Sequence, residues 1–252
     1  MPLTPSRQLI GTARNALANR RLGVILALIA GAINAGGFLA VQQYTSHMTG
    51  MVSAMADAVA LGQWLVVGAS AGALVAFVAG AAVTAVLVNL GRRQGWHSQY
   101  ALPLLLEAAL LLVFGLLGPR LASMHGLFVP LTVMLLCFMM GLQNALITKM
   151  SRAEIRTTHL TGVMTDLGIE LGKALYWNRD GRDGLEPVRV QSARVRLLLA
   201  LSLAFFLGGV LGALGFQAMG YAATLPIAGL LLLLSLGPLW DDVRRRGQGQ
   251  PA

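Results

Sequence analysis

Long apolar stretches recur at regular intervals along this chain. Six of them approach or exceed the roughly 20 residues that a helix needs to cross a lipid bilayer. They cover residues 22–41, 65–90, 101–118, 127–147, 197–219 and 221–240. Glu107 is the one charged residue inside them. The pattern predicts an all-α membrane protein with six transmembrane helices.

Two shorter segments, 48–62 and 160–176, lie between the long stretches and begin with polar residues. Each is short for a comfortable crossing, so we expect re-entrant or broken helices. The composition agrees with a membrane protein, because 56% of the residues are hydrophobic and 12% are charged. Soluble domains carry about 25% charged residues. The single cysteine, Cys137, lies in a predicted span and can form no disulfide within the chain.

The basic residues choose between two topologies, because Lys and Arg accumulate on the cytoplasmic side of a membrane. If the two short segments return to the side from which they enter, every Lys and Arg except Arg120 is cytoplasmic. If they cross, giving eight spans, five basic residues lie outside, namely Arg92, Arg93, Lys149, Arg152 and Arg156. The six-span arrangement is therefore preferred, with both termini cytoplasmic in the inner membrane of a bacterium.

This topology divides the chain into a cytoplasmic segment (1–21), two membrane repeats (22–120 and 121–241) and a basic cytoplasmic tail (242–252). The second repeat contains a cytoplasmic loop at 178–193. In a chain of this kind the net charge of +9 reports orientation, so no nucleic-acid partner is expected. The expected surroundings are the lipid bilayer.

The two halves carry the same landmarks in the same order. These are an asparagine (Asn34, Asn144), the motif Thr-Ser-His-Met-Thr-Gly at 45–50 or Thr-Thr-His-Leu-Thr-Gly at 157–162, an Ala-Phe pair (76–77, 204–205) and a Leu-Pro pair (102–103, 225–226). Three spans in each half is an odd number, so the second half must be inverted relative to the first. Inverted repeats with interrupted helices are a recurrent architecture of transporters.

The repeated motif supplies the candidate binding residues. Backbone at membrane depth must be buried in protein or face a water-filled cavity, and an exposed helix N-terminus favours an anion or a polar carbonyl. The predicted substrate-binding residues are Asn34, Ser46, His47, Thr49, Gly50, Asn144, Thr158, His159, Thr161 and Gly162. The alternative is that the hydroxyls cap the two short helices and the glycines pack them.

His47 and His159 hold matching positions in the two motifs. Either ring can hydrogen-bond a substrate or relay a proton, and a neutral ring bonded to backbone is the alternative. Two imidazoles without a cluster of Cys or carboxylate ligands are too few for a metal. We therefore predict no metal and no cofactor.

The acidic residues differ between the halves. Asp57, Asp166, Glu170 and Glu107 are candidates for proton coupling, because carboxylates within a membrane are costly and often functional. Asp166 and Glu170 have an alternative role in ion pairs with the nearby basic residues Arg152, Arg156 and Lys173.

Small residues repeat every four positions on two predicted helices. The first set is Gly68, Gly72, Ala76 and Gly80, and the second is Gly208 and Gly212. Such faces permit close helix contact. Packing within one molecule is the preferred explanation, and a homodimer interface is the alternative.

The segment from Ile155 to Gly168, together with 31–50 and 141–145, resembles the YoaK-like family of bacterial multi-pass membrane proteins, a domain of unknown function. The resemblance extends from about residue 20 to about residue 240. The family pattern often has an aspartate where this chain has Asn34, which implies that any proton or cation function of that aspartate is lost here. The resemblance implies a membrane protein and supplies no substrate.

The sequence as a whole predicts a transporter or channel for a small polar or anionic solute, with its site between the repeats and with proton coupling as a hypothesis. Two alternatives stay open. One is a structural or accessory membrane protein. The other is an intramembrane enzyme, which is disfavoured because no GxSxG, HExxH or paired-Cys signature is present.

Overall fold

The computed structural model describes residues 16–122, 128–151, 153–176 and 187–247. Parts of the predicted cytoplasmic segments therefore lie outside the described residues, namely 1–15, 177–186 and 248–252. Every regular element in the described ranges is helical. The prediction of an all-α chain is confirmed.

Eight α-helices follow one another along the described chain. They are α1 (Ala16–Val41), α2 (Met48–Ala60), α3 (Trp64–Arg93), α4 (Ala101–Ala122), α5 (Phe128–Met150), α6 (Leu160–Leu175), α7 (Ser192–Met219) and α8 (Thr224–Gly247). A 3-10 helix, Gly220–Ala223, joins α7 to α8. Gly220 has φ +59°, which favours glycine and turns the chain between the two helices.

Five apolar helical stretches in the described chain are long enough to cross a membrane. Four of them coincide with α1, α3, α4 and α5, and the fifth, Ser192–Trp240, covers α7 and most of α8. The two predicted short segments are separate helices of 13 and 16 residues. At 1.5 Å per residue they are about 20 and 24 Å long, less than the roughly 30 Å of bilayer hydrocarbon.

Helix α1 packs along α7, and glycines form the closest part of this contact. A Cβ added at Gly31 would overlap with the carbonyl oxygen of Phe205, and one added at Gly208 would overlap with that of Leu28. Further along both helices, Gly36 lies beside Phe216. The residue numbers rise together on the two helices, so α1 and α7 run parallel.

Helix α3 packs along α5 in the same way. A Cβ added at Gly141 would overlap with the carbonyl oxygen of Phe77, and one added at Gly80 would overlap with that of Phe138. These helices are also parallel, because Gly72 lies beside Met134. The glycine stripes thus pack within the molecule at Gly80 and Gly208, as preferred from the sequence.

The remaining large contacts are antiparallel. Gly37 lies beside Leu136 and Gly23 beside Ile147, so α1 and α5 run in opposite directions. Helices α4 and α8 are antiparallel, because the start of α8 bonds to the middle of α4 and the end of α8 bonds to the segment just before α4. The Thr224 hydroxyl donates to the carbonyl of Leu111 over 3.0 Å, and the Ser98 amide donates to the Asp242 carboxylate over 2.8 Å.

The core lies along α1, α4 and α5. Its largest fully buried side chains include Leu22, Leu26, Ile29, Leu104, Leu111, Leu136, Met139 and Met140. Helices α3 and α7 instead expose rows of large apolar side chains, such as Val75, Val78, Val86, Leu199, Leu203 and Phe206. Exposed apolar surface of this extent suits contact with lipid rather than water.

Candidate functional site

A residue in the left-handed conformation follows both α1 and α5. Gln42 and Ala153 have φ of 55° and 66°, the only positive values among the described residues other than glycine. The Gln42 amide donates to the carbonyl of Phe38, and the Ala153 amide donates to that of Thr148, over 2.7 and 2.8 Å. A left-handed residue bonded back to the last turn is a common helix C-cap. It directs the chain into each motif.

Asn34 and Asn144 each form a hydrogen bond with the motif in the same half of the chain. Asn34 Oδ1 accepts from the Ser46 hydroxyl over 2.9 Å and from the Ser46 amide over 3.2 Å. Asn144 Oδ1 accepts from the Thr158 hydroxyl over 2.7 Å, while its Nδ2 donates to the carbonyl of Met140. In this conformation the two asparagines fix the motifs to α1 and α5.

The expectation that hydroxyls cap the short helices is wrong. The N-cap residues of α2 and α6 are His47 and His159, and neither makes a side-chain capping hydrogen bond. The hydroxyls of Ser46 and Thr158 are turned toward the asparagines instead. The first-turn amides of both short helices are therefore not occupied by the predicted caps.

The two histidine rings are exposed, and each folds over the glycine of its motif. A Cβ at Gly50 would meet the His47 ring, and a Cβ at Gly162 would overlap with the His159 ring. Among the residues that the structure describes, neither ring has a hydrogen-bond partner, so the backbone-bonded alternative does not apply here. The glycine three positions after each histidine leaves room for the ring.

Two buried threonines are functional candidates that lie outside the set of binding residues predicted from the sequence. The hydroxyls of Thr45 and Thr157, the first residues of the two motifs, are buried and make no hydrogen bond within the described chain. An unsatisfied buried hydroxyl costs about 1–3 kcal/mol. Both threonines are buried, and the sequence indicated their equivalence because each motif begins with threonine.

A polar cavity of about 690 Å³ opens beside the second motif. Its lining includes His159, Thr161, Gly162, Thr165 and Asp166 from the N-terminal half of α6. The other polar side chains that line it are Arg20, Glu154, Arg156, Gln191 and Arg194. The lining contains no residue of the first motif, and Arg20 of α1 is its one contribution from the first half of the described chain.

The carboxylates of α6 are paired. Asp166 binds Arg194 over 2.9 Å, so within the described residues its partner is on α7 and is neither Arg156 nor Lys173. Arg152, the third basic residue named from the sequence, lies outside the described residues. Glu170 binds Lys173 over 2.7 Å, as that alternative predicted, and also accepts from the Gln191 amide over 2.8 Å. The Lys173 and Gln191 hydrogen bonds lower the pKa of Glu170. Its carboxylate is therefore charged at neutral pH and fastens α6 to the start of α7.

The other two carboxylates lie apart from the motifs. Asp57 is exposed on α2, and Glu107 is buried on α4, where Gln143 Nε2 donates to its Oε1 over 3.1 Å. The structure therefore does not bring the four proton-coupling candidates together. No cluster of three or more His, Cys, Asp or Glu side chains suited to a metal occurs in the described ranges.

These features define a multi-pass helical membrane protein with two similar polar motifs, one of which borders a charged cavity. The chain belongs to the family described as "Protein of unknown function (DUF1275)", which matches residues 22–237. It is similar to the "UPF0700 transmembrane protein YoaK" of Bacillus subtilis (strain 168), with 27% identity over 176 residues, 69% of this chain and 76% of that protein. No solved structure matches it. The predicted resemblance to the YoaK-like family is confirmed.

Proposed function

We propose that this protein is a non-enzymatic transporter or channel for a small anionic or polar solute, built from two inverted repeats with six transmembrane helices. Its binding residues are those of the two His-x-Thr-Gly motifs, and its cytoplasmic opening is the cavity beside α6. The single observation that carries the proposal is that polar cavity, which leads from charged surface to a helix N-terminus whose hydroxyl caps are absent.

The helix directions support six spans over eight. With six spans, α1 and α5 cross the membrane in opposite directions, which agrees with the antiparallel contacts Gly37–Leu136 and Gly23–Ile147. With eight spans they would cross in the same direction. Helices α2 and α6 then enter and return on one side, and all basic residues but Arg120 are cytoplasmic, as the positive-inside rule favours.

The contact pattern supports the inverted repeat. Exchanging the first four helices for the last four converts the α1–α7 contact into the α5–α3 contact and returns the α4–α8 contact to itself. The exchange also converts the Asn34–Ser46 bond into the Asn144–Thr158 bond. Two repeats of opposite orientation place one motif at each side of the membrane, which is the arrangement needed for a path that crosses it.

The charge at the cavity favours an anion. Arg194 is neutralised by Asp166, but Arg20 and Arg156 line the cavity and have no ion-pair partner among the described residues. Glu154 is the one opposing unpaired carboxylate in the lining. The first-turn amides of α6 add partial positive charge. Arginine is well suited to bind carboxylate or phosphate through two parallel hydrogen bonds.

The test is solute uptake into proteoliposomes, followed by stopped-flow light scattering, with formate, acetate and phosphate as anionic probes and glycerol and urea as neutral ones. We expect the protein to accelerate uptake of at least one anion over empty liposomes. The double variant Arg20→Gln with Arg156→Gln should reduce anion uptake at least about tenfold, the effect of removing about 1.4 kcal/mol of binding.

The matched control is Arg92→Gln with Arg93→Gln, which removes the same charge from the exposed end of α3, outside the cavity lining. It should leave anion uptake unchanged. Equal losses of anion uptake in both double variants would mean that the net charge of the protein, and not the cavity, causes the effect. Absence of uptake for every probe would contradict transport and favour the structural or accessory role.

A further inference from the structure

In the part of the chain that the structure describes, Glu107 on α4 and Gln143 on α5 form a polar contact outside the proposed solute path. Glu107 is 1% exposed and Gln143 is 0% exposed. The amide Nε2 of Gln143 donates to Oε1 of the carboxyl group over 3.1 Å, and Gln143 Oε1 has no partner. A hydrogen-bonded pair that leaves one buried acceptor unsatisfied is expensive.

No charge compensates the Glu107 carboxyl group. Within the described chain, Gln143 is its only polar partner, and it has no ion pair. The charged or titratable side chains described on the elements packed against α4 lie away from this pair: Arg92 and Arg93 end α3, Tyr221 packs on Gly118, and Lys149 ends α5. On α8, Asp242 is bound to Ser98 before the start of α4, and Arg244 is exposed. The thiol Cys137 is buried on α5, six positions before Gln143. An isolated carboxylate in such a core is strongly disfavoured, so the neutral acid is the stable form.

The fold does not require this polar pair. The alignment of the Leu-Pro pairs makes Leu230 the counterpart of Glu107, and the alignment of Asn34 with Asn144 makes Ile33 the counterpart of Gln143. Both are apolar, and both line an apolar cavity of about 290 Å³ whose other walls include Leu111 and Phe114 of α4 and Leu136 of α5. Apolar side chains thus serve at the equivalent place, and a buried polar pair brings no stability advantage over them.

The same comparison shows how the carboxyl group can reach water. Glu107 of α4 contacts Gln143 of α5 directly, whereas their counterparts Leu230 of α8 and Ile33 of α1 border a cavity. One sequence plan therefore forms both a closed and an open interface. If the repeats exchange these states, as inverted repeats do in alternating access, the α4–α5 interface opens.

We propose that Glu107 is a proton-binding site, which holds a proton while α4 is closed on α5 and releases it when that interface opens. Binding forms one O–H bond on a carboxylate oxygen and removes the charge, and release returns the proton to water. Gln143 is a positioning residue that orients the carboxyl group. This inference rests on the proposed transport function, because the cycle of opening and closing is that of the transporter.

Infrared spectroscopy of the purified protein in lipid tests the site without any solute. We expect a protonated-carboxyl C=O band at neutral pH that declines reversibly at alkaline pH, and that shifts when the protein contains ¹³C-labelled glutamate. The band should be lost in Glu107→Gln and retained at a shifted frequency in Glu107→Asp. The control Glu170→Gln removes an ion-paired carboxylate and should leave the band intact.

Absence of the glutamate band in the wild-type protein at neutral pH would overturn the inference, and so would a band that no accessible pH removes. Both readings come from the wild-type protein and stand even if Glu107→Gln does not fold. The outcome is separable from the proposed function: a titrating band without anion uptake in proteoliposomes overturns transport and leaves the proton site, whereas uptake without the band overturns the proton site alone.

Discussion

The two motifs share a framework and differ in charge. In both halves an asparagine binds the hydroxyl before the histidine, the histidine begins a short helix, and its ring covers a glycine. Around the second motif, however, Asp166 pairs with Arg194, whereas the aligned positions of the first half are Ala54 and Val66. The contacts within the two motifs are alike, and the nearby charges distinguish the second motif from the first.

This difference separates structure from function. Contacts that occur twice are needed to fold each half, since the same local geometry forms on two sequence backgrounds. The charges at the cavity beside α6 occur in one half only, so the local structure that the two halves share does not require them. We therefore expect substitutions in the shared framework to act alike in both halves, and substitutions of the charges to change one half only.

The largest effect should come from the glycines at the helix crossings. Gly31→Ala and Gly141→Ala each place a Cβ against a carbonyl oxygen of the partner helix, where backbone must move. We expect each to destabilise the protein by about 3 kcal/mol, the upper part of the usual range for overpacking. Thermal unfolding in detergent measures this.

The matched control for the crossings is Gly68→Ala, because nothing lies within 4 Å of a Cβ at that position. It should be neutral or slightly stabilising, since alanine favours helix. A strong loss for only one of Gly31→Ala and Gly141→Ala would contradict the equivalence of the two crossings.

The asparagine bonds should show an intermediate effect. Asn34→Ala and Asn144→Ala leave the hydroxyls of Ser46 and Thr158 without their acceptor, at a cost of about 1–2 kcal/mol each. Hydrogen–deuterium exchange should report faster exchange at the start of α2 in the first variant and of α6 in the second. Faster exchange throughout the molecule in either variant would argue against a local tie.

The smallest effect should come from the ion pair of the second half. Asp166 and Arg194 are both partly exposed to solvent, so a double-mutant cycle of Asp166→Asn and Arg194→Gln should give a coupling energy below about 1 kcal/mol. The cycle is measured by chemical denaturation. A larger coupling would mean that the pair fixes α6 on α7, and the functional difference between the motifs would then be a structural one.

Much of the fold follows from the sequence. The apolar stretches predict α1, α3, α4, α5, α7 and α8 with ends that differ by up to seven residues, and the short polar-led segments predict α2 and α6. These assignments succeed because the bilayer fixes the length of a crossing helix. The sequence does not predict the pairing of α1 with α7, because Gly208 and Gly212 indicate a face for close helix contact without identifying the partner helix.

The side-chain partners at the site were harder to predict. Hydroxyls near a helix start suggest caps, but Ser46 and Thr158 found an asparagine side chain in the preceding helix, a contact that sequence distance conceals. The sequence suggests nearby basic residues as partners of Asp166, yet the structure pairs it with Arg194, which is 28 positions away. Such choices depend on how α6 lies against α7, which the hydrophobic pattern leaves open.

The most direct test of the account is the side of the membrane on which each motif begins. Gln43 and Glu154 are exposed residues just before the two motifs. In a Cys137→Ser background, single cysteines Gln43→Cys and Glu154→Cys are labelled with a membrane-impermeant maleimide in intact spheroplasts and again after permeabilisation. We predict that Gln43→Cys is labelled in intact spheroplasts and Glu154→Cys only after permeabilisation. Labelling of both from the same side would contradict the inverted repeat.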